Sequence, residues 1–145
     1  MIKSTEEASG CIESLLGNIG RVWRIDERDF DFASTFTSCG PGLFAAIFQE
    51  LVETGLRYTN SFGKEEITEM ILQTLHGTSR LMLEKKLGFR DVILRVATKG
   101  GITEEGVKVI GKGLPRVFDE MLGQCMNKRK AISEKVSYEF RDICK

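Results

Sequence analysis

Between Leu43 and Leu56 the apolar residues Leu43, Phe44, Ile47, Phe48, Leu51, Val52 and Leu56 recur at spacings of three and four, the repeat of one broad helix face. A helix so apolar on one side needs other helices to cover it. Gly40-Pro41-Gly42 stands just ahead, with a proline suited to a first helical turn and glycines that permit a sharp approach. A helix of roughly five turns is therefore predicted from Pro41 to about Tyr58. The one strand-like run is Gly20-Arg-Val-Trp-Arg-Ile25. A lone strand leaves its ladder groups unpaired, so this run either pairs with something outside the chain or is an extended connector. The pattern predicts an all-α fold preceded by one short strand.

The other helices follow from caps and stripes. Ser4-Thr5-Glu6-Glu7 reads as a capping box opening a helix that stops near Gly17, and the pattern turns helical again from Glu27. Ile67, Met70, Ile71, Leu75 and Met82 mark a helix from about Lys64 to Lys86, with His76 at the edge of the stripe. A shorter helix spans about Phe89 to Ala97, and another begins at Thr103. From Leu114 a stripe of Val117, Phe118, Met121, Leu122 and Cys125 runs on into Ile132, Val136, Phe140 and Ile143, a long terminal helix with a break expected near Asn127. Stripes this wide on a chain of 145 residues point to helix-to-helix dimerisation.

Charge and cysteine usage narrow the function. Lysine plus arginine and aspartate plus glutamate each number 21, so no net field favours nucleic acid or an anionic membrane. The basic cluster Lys128-Arg129-Lys130 reads as a solvated helix face. Cys11, Cys39, Cys125 and Cys144 are widely spaced and His76 is the single histidine, so no zinc-ligand pattern exists and none is expected. Neither a signal-peptide core nor a run of about 20 apolar residues occurs, so the expected setting is cytoplasmic, with reduced thiols. There is no G-x-G-x-x-G or Walker-type sequence, and one histidine supports no catalytic triad; no catalytic residue is assigned.

The most suggestive turn is Thr98-Lys-Gly-Gly-Ile-Thr103. Gly100 and Gly101 can take positive φ and leave amide hydrogens facing a ligand, while Thr103 stands where a helix N-cap is expected, ahead of Glu104 and Glu105. Such a turn can hold a small anion at a helix N-terminus; the same residues also suit a plain linker.

Two ordered segments carry a resemblance. Asp31-Phe-Ala-Ser-Thr-Phe-Thr-Ser-Cys-Gly-Pro-Gly-Leu-Phe44, followed by its long apolar helix, resembles the start of the helical dimerisation domain of the pyrroline-5-carboxylate reductase family. Thr98 to Thr103 resembles that family's second signature at a matching separation, and the Cys39 and Lys-Gly-Gly-Ile-Thr-Glu-Glu-Gly forms look closer to its late-competence-protein branch. Upstream, Leu15 to Asp26 looks like the segment closing the family's Rossmann domain.

The resemblance implies residues 1–26 as the residual end of a Rossmann domain and connector, and 27–145 as a helical dimerisation and substrate domain whose long helices interlock in a homodimer. It implies an NAD(P)-dependent imine oxidoreductase of proline biosynthesis, whose cofactor domain this chain lacks. NAD(P) is accordingly not expected to bind the chain alone, a Rossmann domain being supplied by the full-length protein or another chain. Thr98, Gly100, Gly101, Ile102 and Thr103 would bind the substrate carboxylate, and Ser38, Cys39 and Gly40 would lie near the nicotinamide. The chain departs from the main branch at Thr98-Lys99, at Ile102, at Glu104 and Glu105, which bring two negative charges toward the implied carboxylate site, and at Lys85-Lys86, where the family often carries an acid. Those departures suit an alternative, a non-enzymatic helical dimer with a regulatory or scaffold role. A free-standing helical enzyme with Cys39 as nucleophile is the least supported of the three readings.

Overall fold

The computed structural model describes residues 6–143, and side chains through residue 136. Every regular element among them is helical. The α-helices are α1 (Glu6–Leu16), α2 (Phe30–Thr37), α3 (Gly40–Gly55), α4 (Lys64–Lys85), α5 (Phe89–Val96) and α6 (Ile102–Ile143), with short 3-10 turns at Glu27–Asp29 and Leu56–Tyr58. The predicted capping residue Ser4 lies outside the described residues, as does Cys144.

Local sequence sets most of the boundaries. Pro41 occupies the first turn of α3, and the 3-10 turn at Leu56–Tyr58 carries the chain to the expected end of that helix. Helices α4 and α5 start on one device. The Gly63 amide donates to Glu66 Oε2 at 2.7 Å and the Gly88 amide donates to Asp91 Oδ2 at 2.8 Å, each acid satisfying a donor at its own helix's start. Lys86 closes α4 in the left-handed region, at φ 53°.

Three expectations are corrected. Residues 21–26 form no strand, because no neighbouring strand exists among the described residues to complete a ladder. They form a connector, tied to α1 by the Arg24 guanidinium on Glu13, a contact that holds the Glu13 carboxyl below its usual range. Arg21 lies over the Trp23 ring, 5.6 Å from its centroid. The expected break near Asn127 is absent as well, and α6 runs unbroken through both Pro115 and Asn127.

The reason is tertiary, and it supplies the third correction. Thr35, fully buried on α2, donates through Oγ1 to the Asp31 carbonyl at 2.9 Å and lies 3.9 Å from Met126 Sδ. Arg129, expected on a solvated face, is half-buried: its guanidinium donates to Ser34 Oγ at 2.8 Å and sits 3.6 Å from Asp31 Oδ1. Residues on both sides of Asn127 are thus engaged by α2, which outweighs that residue's modest helix propensity.

Packing within the chain joins α3 to α4 and α2 to both α3 and α6. It leaves little buried: among the described residues Val52 is the one buried large apolar side chain, while Phe44, Leu51, Leu72, Leu83, Leu94, Val109 and Val117 stay exposed. The protomer presents 12919 Å² to solvent, against about 7,500 Å² for a compact monomer of its mass.

Arg129 is the polar clasp between α2 and α6. Replacing it with alanine is expected to lower stability by about 1–3 kcal/mol, the usual cost of losing a charged hydrogen bond with its partner left behind. Urea unfolding of Arg129→Ala against the parent checks this, and an unchanged midpoint would show the clasp to be idle.

Candidate functional site

The turn between α5 and α6 is built on two glycines, each used for a different backbone reason. Gly100 takes φ 74°. At Gly101 a Cβ would stand 2.5 Å from Thr98 Oγ1 and 3.0 Å from the Thr98 carbonyl oxygen, so the glycine permits the chain to fold back onto Thr98. The Gly101 amide donates to that carbonyl at 2.9 Å, closing the turn. Helix α6 begins at Ile102, one residue before the expected start; Thr103 lies inside its first turn, and Gly101 takes the position ahead of it.

The first-turn amides of α6 have no acceptor within the helix, as at any helix start. Ile102 is 95% exposed, and Thr98 and Thr103 are exposed too. Both glycine amides are already engaged, Gly101 by Thr98 and Gly100 by a side chain. The Gly100 amide donates to Glu104 Oε2 at 2.6 Å. Lys108, one turn further, lies 3.7 Å from Glu104 Oε2 and 2.7 Å from Glu105 Oε1, partly balancing the two acids.

The second candidate region is the corner between α2 and α3. The Ser38 and Cys39 amides both donate to the Ser34 carbonyl, at 2.8 and 3.2 Å, and Gly40 is buried where α3 starts. Cys39 is exposed, and Arg129 reaches its Sγ at 3.5 Å while also holding Ser34. One guanidinium therefore fixes the corner against α6. About 40 Å of α6 separates Ile102 from Arg129, so the glycine turn and the Cys39 corner do not meet within one protomer.

Between α3 and α4 runs an apolar groove of about 960 Å³, walled by residues that include Phe44, Phe48, Val52, Ile71, Leu72 and Phe89. His76 lies on its wall, beside the stripe as expected. Arg129 is the residue that the sequence alone did not place, since it looked like part of a basic run.

Comparison with known proteins decides the family. The family model for pyrroline-5-carboxylate reductase dimerisation matches residues 27–132. The chain belongs to the pyrroline-5-carboxylate reductase family, as its dimerisation domain. Pyrroline-5-carboxylate reductase 3 of Bacillus subtilis (strain 168) is 41% identical over 125 residues, 86% of this chain and 46% of that protein. The match extends to the late-competence branch: ComE operon protein 4 of the same organism is 26% identical over 113 residues, 78% of this chain and 41% of the relative. The crystal structure of Plasmodium falciparum pyrroline carboxylate reductase with NADP bound has a TM-score of 0.67 at 19% identity, covering 86% of this chain and 46% of that one, and shows a shared fold. The chain spans about half the length of the curated relatives it matches.

The left-handed residue gives the turn a direct test. Gly100→Ala is expected to cost about 1–2 kcal/mol, the price of a Cβ in that conformation, and Gly100→Asn less, since asparagine tolerates it better. Denaturant midpoints ranked glycine, asparagine, alanine are expected; equal midpoints would mean that the turn relaxes freely.

Proposed function

We propose that this chain is the dimerisation and substrate-binding half of a cytoplasmic pyrroline-5-carboxylate reductase-type imine reductase, acting as a homodimer with a nicotinamide cofactor delivered by a Rossmann domain. The observation that carries the reading is the family match over residues 27–132 on a chain that spans about half of each full-length relative. Residues 1–26 are read as the end of that Rossmann domain and its connector, and 27–145 as the helical domain. Ile12, Leu15, Ile19, Trp23 and Ile25 are exposed, which supports this, because a neighbouring domain would cover apolar side chains there.

The homodimer is supported by area. The protomer exposes roughly 5,000 Å² more than a compact monomer of its mass, and obligate dimers bury about 2,000–5,000 Å² or more in total. In this reading the α3–α4 groove receives helices of the second copy, and pairing brings a glycine turn toward the Cys39 corner of the other protomer. Thr98 and Thr103 then donate hydroxyl hydrogen bonds to the substrate carboxylate, and the free amides of the α6 first turn add to them. Ser38, Cys39 and Gly40 lie near the nicotinamide. NAD(P) supplies the hydride; this chain binds and orients the imine, and by itself neither holds the cofactor nor reduces substrate.

The Glu104 carboxylate on the Gly100 amide favours a second reading, a non-enzymatic helical dimer with a regulatory or scaffold role. A thermal-shift titration separates the two. Reduction of the ring C=N of pyrroline-5-carboxylate gives proline, so the first reading expects proline at tens of millimolar to raise the melting temperature. The rise is about 2–4 °C per kcal/mol of binding, and it is lost in Thr98→Ala and Thr103→Ala. No shift in any of the three proteins supports the scaffold.

Sedimentation equilibrium tests the dimer. The chain is expected to be dimeric at micromolar concentration, and Leu72→Asp, which places a charge in the exposed groove, to lose both the dimer and cooperative unfolding. A monomeric parent chain would sink the interlocked architecture and the shared site with it.

A further inference from the structure

We infer that His76 makes the pairing of this chain pH-sensitive: the α3–α4 groove accepts a second copy while the imidazole is neutral and resists it once the imidazole is protonated. This rests on the proposed reading in which a second copy fills that groove. Area argues for that occupant, since the protomer exposes roughly 5,000 Å² more than a compact monomer of its mass and an obligate dimer buries about 2,000–5,000 Å² or more. The family match over residues 27–132 is likewise to a dimerisation domain. His76 is the single histidine of the chain. It is exposed in the protomer and lines the groove together with Phe44, Phe48, Leu75 and Phe89.

Among the described residues no carboxylate lines the groove. Lys64, at the start of α4, meets Glu53 near the end of α3 at 2.5 Å, so the groove's other base is already matched and α4 runs back along α3. His76 stands 12 residues further on, about 18 Å along the helix, opposite the first half of α3. From Gly40 to Gln49 that half has no charged side chain, and Glu50 and Glu53 come only beyond it. Along α4, Arg80 is a second cation one turn away and holds Glu84 at 2.7 Å. Glu69, two turns back, lies in a separate dent with Glu66, Met70 and Gln73. On α5, which brings Phe89 to the groove, Asp91 is bonded to the Gly88 amide at 2.8 Å, and Arg90 and Arg95 are cations again.

Covering the groove takes the imidazole out of water. A neutral ring tolerates this, whereas an imidazolium loses its hydration and gains no anion in return. Separated protomers therefore bind protons more readily than the pair does. Pairing is strongest where the ring is neutral and weakens as pH falls through the range of about 8 to 5 in which histidine gains its charge. A two-fold pair carries one His76 from each copy, so two protonations oppose each dimer.

The test is sedimentation equilibrium of the intact chain at about pH 7.5 and about pH 5.5, on either side of the imidazole's charge change. Urea unfolding at several protein concentrations accompanies it and reads a dimer too tight to dilute apart. The parent is expected to dissociate about tenfold or more readily at the lower pH. His76→Gln keeps a polar side chain without a titrating charge and is expected to pair equally at both pH values. His76→Leu is expected to do the same, and guards against a glutamine that disturbs the groove. Equal pairing of the parent at the two pH values overturns the switch. So does an equal loss at the lower pH in both variants, which assigns the effect to another group. Tighter pairing of the parent at the lower pH overturns it as well, by placing a carboxylate of the second copy against the ring. A parent chain that is monomeric at both pH values fails the dimer reading, and the switch with it.

Discussion

An α-helix with a broad apolar stripe must bury that stripe against something, and α3, α4 and α6 are long helices that bury theirs only in part within one chain. Hydrophobic burial is the main favourable term in folding, at roughly 25 cal/mol per Å². A protomer whose only buried large apolar side chain among the described residues is Val52 has left most of that term unused. Everything else about the molecule is arranged around this shortfall: an open groove between α3 and α4, a 42-residue terminal helix, and two candidate turns about 40 Å apart along it. The match to a dimerisation domain gives the exposed stripes a purpose.

The polar contacts have a division of labour. Acid-to-glycine contacts at the starts of α4, α5 and α6 satisfy helix-end amides that would otherwise rely on water. The Arg129 clasp is different, because it joins elements far apart in sequence and fixes the corner that leads into α3. At the glycine turn the same kind of contact places the Glu104 carboxylate on the Gly100 amide, so that donor is engaged within the chain.

Much of the fold was legible because it is local. The three-and-four spacing from Leu43 to Leu56, Pro41 in a first turn and the stripe from Ile67 to Met82 each specify a helix with no knowledge of its neighbours, and each helix is found. The α6 start was misplaced by one residue because Thr103 has the chemistry of a cap, whereas the fold-back of Gly101 onto Thr98 lets glycine take that position. Gly20 to Ile25 has strand composition, yet composition cannot supply the second strand a ladder requires. The Arg129 clasp was hidden among Lys128 and Lys130, since three adjacent bases look alike until one of them is seen to face α2.

The sequence by itself determined the helices, the glycines at 100 and 101, and the apolar faces too broad for an isolated chain, because each depends on residues within a few positions of one another. Only the tertiary structure decided that α6 continues past Asn127, that Arg129 belongs to the Cys39 corner, and that the two candidate turns stand apart in one protomer. Those outcomes depend on α2 meeting α6, a contact between segments about 90 residues apart, and no local pattern encodes such a meeting.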